Sequence, residues 1–375
     1  MADEKKVDWK DFNTWPPLLR HTASAAVTVG LALLTTYLAG LLHVTPPPVP
    51  PISPDPDPTP PAMGWYSDPA TIAAARAAVP TVFRQTPAGL DDAPLPTDVF
   101  QWQVYARVTG QKPPLKDQGQ VGSCVGFGST TAYERALACS IAAGEPFEFT
   151  RFSEEATYAL SRVEVGGGQM RGEDGSTGGW AAAAFTKWGA VPAKKYPDLD
   201  LSTYSESVCR TLGNKGLPKS VEQVAAEFKA GDAANLKSWA DAKKALAAGH
   251  GVFLCSRIGF AAQRDANGVC KQQGVWGHCT CLDGYHVEPN GKEYGHIENS
   301  WDSAYHKGPT GWGSPSNAGF WAESRVISQM IAEGDSYAVS AVKGFPKQKQ
   351  GLDWYVDVRP AKPRRLDLFA FALAP

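Results

Sequence analysis

The chain has 375 residues, with 36 Lys and Arg against 38 Asp and Glu and a formal net charge of -2. That length accommodates two sub-domains around sizeable cores. The mixed charge gives no electrostatic basis for a nucleic-acid partner, and seven cysteines are too few and too scattered for a disulfide scaffold.

Residues 22–43 begin with "TASAAVTVGLALLTTYLAGLL", a stretch without charge. It is about the ~20 residues that a helix needs to cross a bilayer core. Lys5, Lys6, Lys10 and Arg20 precede it, with Trp9 and Trp15 as interfacial anchors. The basic asymmetry predicts a cytoplasmic segment 1–21, a single-pass signal anchor at 22–43 and an extracytoplasmic remainder. Secretion after signal cleavage is the alternative. Residues 44–62 are proline-dense and predict an extended stalk. Residues 63–94 read as a linker or a short pro-like segment.

Asp68 and Pro69 open a predicted helix that Pro80 breaks. Residues 86–114 read as irregular. After Cys124, Phe127, Ala132, Ala136, Leu137 and Ile141 recur at helical spacing up to Gly144. "SEEATYALSRV" and "WAAAAFTKWGAV" read as further helices around a Gly-rich loop. "SWADAKKALAAGHG" predicts a helix before the strand "VFLCSRI", and strand-like runs follow near 278–287, 293–299 and 317–323. Helices first and strands later indicate an α+β fold with segregated elements.

Chemistry concentrates in "KDQGQVGSCVGFGST", residues 116–130. Cys124 stands where a glycine-containing turn enters a helix, and the free N–H groups there favour a thiolate. Gln118 lies six residues upstream, placed to turn its amide back toward an oxyanion. A Cys at a helix start is more often inert core, so a base and an orienting group are needed. "GHCTCLDGY" supplies His278 and "ENSWDS" supplies Asn299 two residues before Trp301.

The ordered Gln, Cys, His and Asn set resembles the papain-like cysteine peptidase family over roughly residues 95–341, with 342–375 as a tail beyond it. The resemblance implies a two-lobed fold, a helical nucleophile lobe and an antiparallel β-barrel-like lobe with the cleft between them. It implies a hydrolase that cuts peptide or protein substrates through an acyl-enzyme, without cofactor or metal. Cys124 would be the nucleophile, His278 the base and later acid, Asn299 its orienting partner and Gln118 part of the oxyanion hole. Trp301 would shield the Asn299–His278 contact. Gly178 and Gly179 would lend backbone groups to an extended peptide, with Trp180, Ala181 and Cys279 lining an apolar pocket.

The chain departs from the family pattern at Val125, where the family has Trp, and at Val121 and Ser176 or Thr177, where it has half-cystines. Such departures remove no catalytic residue but motivate the alternative, an inactive papain-like domain that binds peptides or a partner protein. His286, His296 and His306 read as surface or strand residues. A zinc site from Cys270, Cys279 and Cys281 is disfavoured because the last two read as facing opposite sides of a strand; a local bridge from Cys270 is a further possibility. The "DSAYHKGPT" stretch after Trp301 reads as an inserted loop near the cleft.

Overall fold

The computed structural model describes residues 60–302 and 304–347. They belong to one compact unit, Asp57–Pro375. No helix among the described residues is long and apolar enough to cross a membrane; the anchor expected at 22–43 lies outside them.

The centre of the helical lobe is the Cys124–Ala142 helix. Its sequence predicts one apolar stripe, but every residue from Cys124 to Cys139 is buried. Neighbours pack on all its sides, so its polar positions need partners inside the protein. Glu134 receives Lys116 Nζ at 3.3 Å and Phe152 N at 3.0 Å. Arg135 Nε donates to Asp283 Oδ2 across the lobes at 3.1 Å. Gly128 lets this helix press against the sheet, since a Cβ there would lie 3.0–3.1 Å from the backbone of Cys279 and Thr280. Around it stand the helices Glu154–Ala159, Gly178–Lys187, Glu206–Lys215 and Lys219–Ala225.

The strands are β1 (Asp98–Phe100), β2 (Lys195–Tyr196), β3 (Leu199–Asp200), β4 (Asp232–Asn235), β5 (Gly251–Arg264), β6 (Cys270–Val287), β7 (Glu293–Glu298), β8 (Phe320–Glu323) and β9 (Tyr337–Ser340). Apart from the small β2–β3 pair, they form one sheet in the order β4-β9-β5-β6-β7-β8, with β1 also on β6. All pairings are antiparallel. Register shifts between Ser256 and Arg264 curl β5. Trp321 N of β8 reaches Gly268 O beside the β5–β6 turn at 2.9 Å, which gives the sheet its barrel-like closure.

Residues 86–114 are more ordered than expected. They hold β1 and the helix Gln101–Thr109. Tertiary contacts fix that helix: Trp102, Val104 and Tyr105 are buried, and Gln101 Nε2 donates to Leu246 O and His250 O at 3.2 and 2.8 Å. Residues 63–94 also pack into the body, with Trp65, Phe83 and Ala88 buried. Phe345, at the start of the expected tail, packs edge-on against Phe83 with ring centroids 5.5 Å apart.

Candidate active site

Cys124 is the first residue of the central helix, and Ser123 gives that end no side-chain cap. The opening turn therefore keeps N–H groups free for an anion. Gln118 is held by Ser300 from the other lobe: its N–H donates to Ser300 O at 2.9 Å, and its Oε1 accepts from Ser300 Oγ at 2.6 Å. The sheet lobe brings His278 (on β6) and Asn299 together, with His278 Nε2 to Asn299 Oδ1 at 2.8 Å. The Trp301 ring lies 4.3 Å from the His278 ring and covers this contact. Gln118, Cys124, His278, Asn299 and Trp301 are all buried. His278 Nδ1 has no hydrogen-bond partner, so no such bond joins it to Cys124.

The chain itself covers the site. Residues 62–66 run between the lobes and make the contacts of an extended peptide. Ala62 O accepts from Gln118 Nε2 at 2.8 Å. Gly277 O accepts from Gly64 N and Trp65 N at 3.0 and 2.8 Å. Tyr66 N donates to Ser176 O, and Ser176 N to Gly64 O, both at 2.8 Å. The Trp65 indole is buried and donates to Asp335 Oδ2 at 2.7 Å. Gly64 is required there, because a Cβ would fall 1.8 Å from Gly122 O. Burial, then the neighbouring Cys279, pushes the Cys124 thiol far above its ordinary value, while backbone hydrogen bonds from Cys279, Gly64 and Val125 act against the rise. Burial holds the His278 imidazole down to about 4, against its bond to Asn299. In this covered state both groups are neutral.

Ser176, not Gly178 or Gly179, makes the strand-like pairing. The N–H groups of Gly178 and Gly179 donate to the Asp335 carboxylate at 2.7 and 2.9 Å. Ala181 and Cys279 share a core cluster with Trp65 and Cys124, whereas Trp180 packs away from it, on Ala75 and Met170. The departures from the family pattern are absorbed by packing. Val121 lies with Tyr158 and Cys209, and Ser176 Oγ pairs with Ser161 Oγ at 2.9 Å.

All seven cysteines are free, so Cys270 forms no bridge. Cys279 and Cys281 are two residues apart on β6 and share a face, contrary to the sequence reading; both belong to one core cluster. Of the other histidines, His286 and His296 stand on strands β6 and β7, as the sequence allowed, whereas His306 lies off the strands and is buried rather than a surface residue. Ligand atoms of Asp283, His296 and Glu298 lie within 4.8 Å of one another. Both His296 nitrogens are engaged there, by Asp283 Oδ1 and Ser314 Oγ at 2.7 Å each, and Arg135 brings positive charge onto Asp283. Asp283 and His296 are thus satisfied, whereas both carboxyl oxygens of the buried Glu298 have no hydrogen-bond partner among the described residues.

The fold is two-lobed α+β, with Cys124 opening the central helix and His278 on the sheet that this helix packs against. The family model described as papain family cysteine protease matches residues 99–317, more than half of the chain. The chain belongs to that family. Among solved structures, it is similar to xylellain, a cysteine protease from Xylella fastidiosa (17% identity, 75% of this chain and 92% of that one, TM-score 0.47). It is also similar to digestive procathepsin L 3 of Tenebrio molitor (20% identity, 74% and 82%, TM-score 0.44) and to procathepsin B from Trypanosoma congolense (13% identity, 75% and 86%, TM-score 0.48). No curated protein matches the chain at a significant level.

Proposed function

We propose that the chain hydrolyses peptide bonds through Cys124, His278 and Asn299, with Gln118 in the oxyanion hole, and that residues 62–66 hold it latent. The observation that carries this reading is the His278–Asn299 bond under Trp301, on the strand whose next residue, Cys279, reaches Cys124. His278 Nδ1, unpaired in the covered state, takes the proton of Cys124 once the cleft opens. The thiolate attacks the scissile carbonyl, and the oxyanion receives Gln118 Nε2, the donor that Ala62 O now occupies. His278 returns the proton to the leaving amine, water enters, and the acyl-enzyme is hydrolysed. Residues 22–43 anchor this domain outside the cytoplasm, and the proline-dense stalk runs directly into the covering segment.

Hydrolysis of fluorescently labelled casein by the full chain tests the reading. Turnover that disappears in Cys124→Ala supports it. No turnover even after Gly64→Val has dislodged the cover leaves a cleft that only binds.

A further inference from the structure

Asn299 must present its amide one way round. Its Oδ1 accepts from His278 Nε2 and from Ser300 N, both at 2.8 Å. The other end of the amide, Nδ2, is buried and needs an acceptor. That acceptor is His306 Nε2, at 3.2 Å. On its far side His306 Nδ1 meets Cys270 Sγ at 3.5 Å. A continuous chain of contacts thus runs Cys270, His306, Asn299, His278.

His306 sits in the loop that lengthens the chain after Trp301, yet it is 1% exposed. The loop is fastened to β5: Lys307 N donates to Ala262 O at 2.8 Å, Arg264 N donates to Lys307 O at 2.9 Å, and Arg264 Nη2 donates to His306 O at 3.0 Å. Phe320 and Tyr305 pack on the ring at centroid distances of 4.4 and 4.9 Å. The imidazole is therefore fixed in place, and its neutral form suits an acceptor. Burial, then the Arg264 charge, holds it down to about 3.

We propose that His306 is a positioning residue: by accepting from Asn299 Nδ2 it locks the amide with Oδ1 toward His278. The tautomers then follow in sequence. His306 carries its proton on Nδ1, directed at Cys270 Sγ, and keeps Nε2 as acceptor. Asn299 Oδ1 holds the Nε2 proton of His278, which leaves His278 Nδ1 as the base for Cys124. With the amide reversed, Asn299 would donate to His278 Nε2 and the proton would sit on Nδ1, where it cannot serve as base.

This inference rests on the peptidase reading above, and the test separates the two. Long-range 15N NMR of the histidine-labelled full chain reads the tautomers without any need for turnover. His306 protonated on Nδ1 is expected; His306 protonated on Nε2 overturns the proposal whether or not the chain cleaves peptides. On a casein-derived fluorogenic peptide, His306→Leu is expected to lower kcat about 10-fold or more with KM unchanged. His306→Gln, whose side-chain oxygen can accept from Asn299, is expected to recover most of it. Wild-type kcat in His306→Leu contradicts the proposal. Equal loss in both variants, tracking a fall in folded protein, assigns His306 to packing alone and overturns it as well.

Discussion

The two sides of the cleft stand in different states. On the sheet side, His278, Asn299 and His306 are already hydrogen-bonded in order, with the Trp301 ring against His278. On the helix side, Cys124 and Gln118 are engaged by the chain's own residues 62–66. Preorganisation and readiness are therefore separate properties of this site. Under the proposed function, rigid strands and a fastened loop would assemble the base, and a short backbone segment would withhold the thiol and the oxyanion donor from substrate.

The largest expected effect comes from removing the thiol while the sheet side stays intact. Cys124→Ala should cut casein hydrolysis at least about a thousandfold, since the members of such a set act as a unit. Next comes the cover. Gly64→Val places a side chain where Gly122 O stands, so the segment must leave its seat. Alkylation of Cys124 by iodoacetamide, followed by mass spectrometry, should accelerate roughly 10-fold or more, because each 1.4 kcal/mol lost from the covered state opens the cleft tenfold. Trp65→Ala gives a smaller rise, several-fold, by removing the indole and its bond to Asp335. An unchanged alkylation rate in both variants would erase the contrast between the two sides.

The smallest effect concerns the sheet interior alone. Burial, then the charge of Asp283, pushes the Glu298 carboxyl up to about 7. A carboxyl raised on folding contributes stability that is fully present below its unfolded value near 4.5 and is lost as pH rises through about 7. Thermal unfolding from pH 5 to pH 8 should thus show a loss on the order of 2–3 kcal/mol in the wild type and a flatter profile in Glu298→Gln.

The residues proposed for chemistry were legible because each sits in a short local pattern. Gly122-Ser123-Cys124 opens a helix, and His278 and Asn299 stand on or beside strands in a recognisable order. The covering segment was not legible. "PAMGWY" has no helical or strand period, and its partners, Gly277 and Ser176, lie more than a hundred residues away in sequence. Its sole internal signal was Gly64, which needs a close backbone approach that no sequence displays. His306 was hidden for the same reason: a histidine in an inserted loop looks exposed until Arg264 and Lys307 fasten that loop to β5. The helix Gln101–Thr109 escaped because Phe100 offers no side-chain cap and the buried face is set by tertiary packing. The place of Gly178 and Gly179 at the cleft came from the family resemblance; in the covered structure Asp335 takes their N–H groups, and Ser176 makes the pairing with residues 64–66.

The most direct measurement is titration of the Gly64→Val chain with a peptidyl epoxide, locating the adduct by mass spectrometry and following casein hydrolysis in parallel. The account predicts one adduct, on Cys124, forming in step with loss of hydrolysis and more slowly in the wild type. An adduct on another of the seven cysteines, or hydrolysis that survives full modification of Cys124, would contradict it.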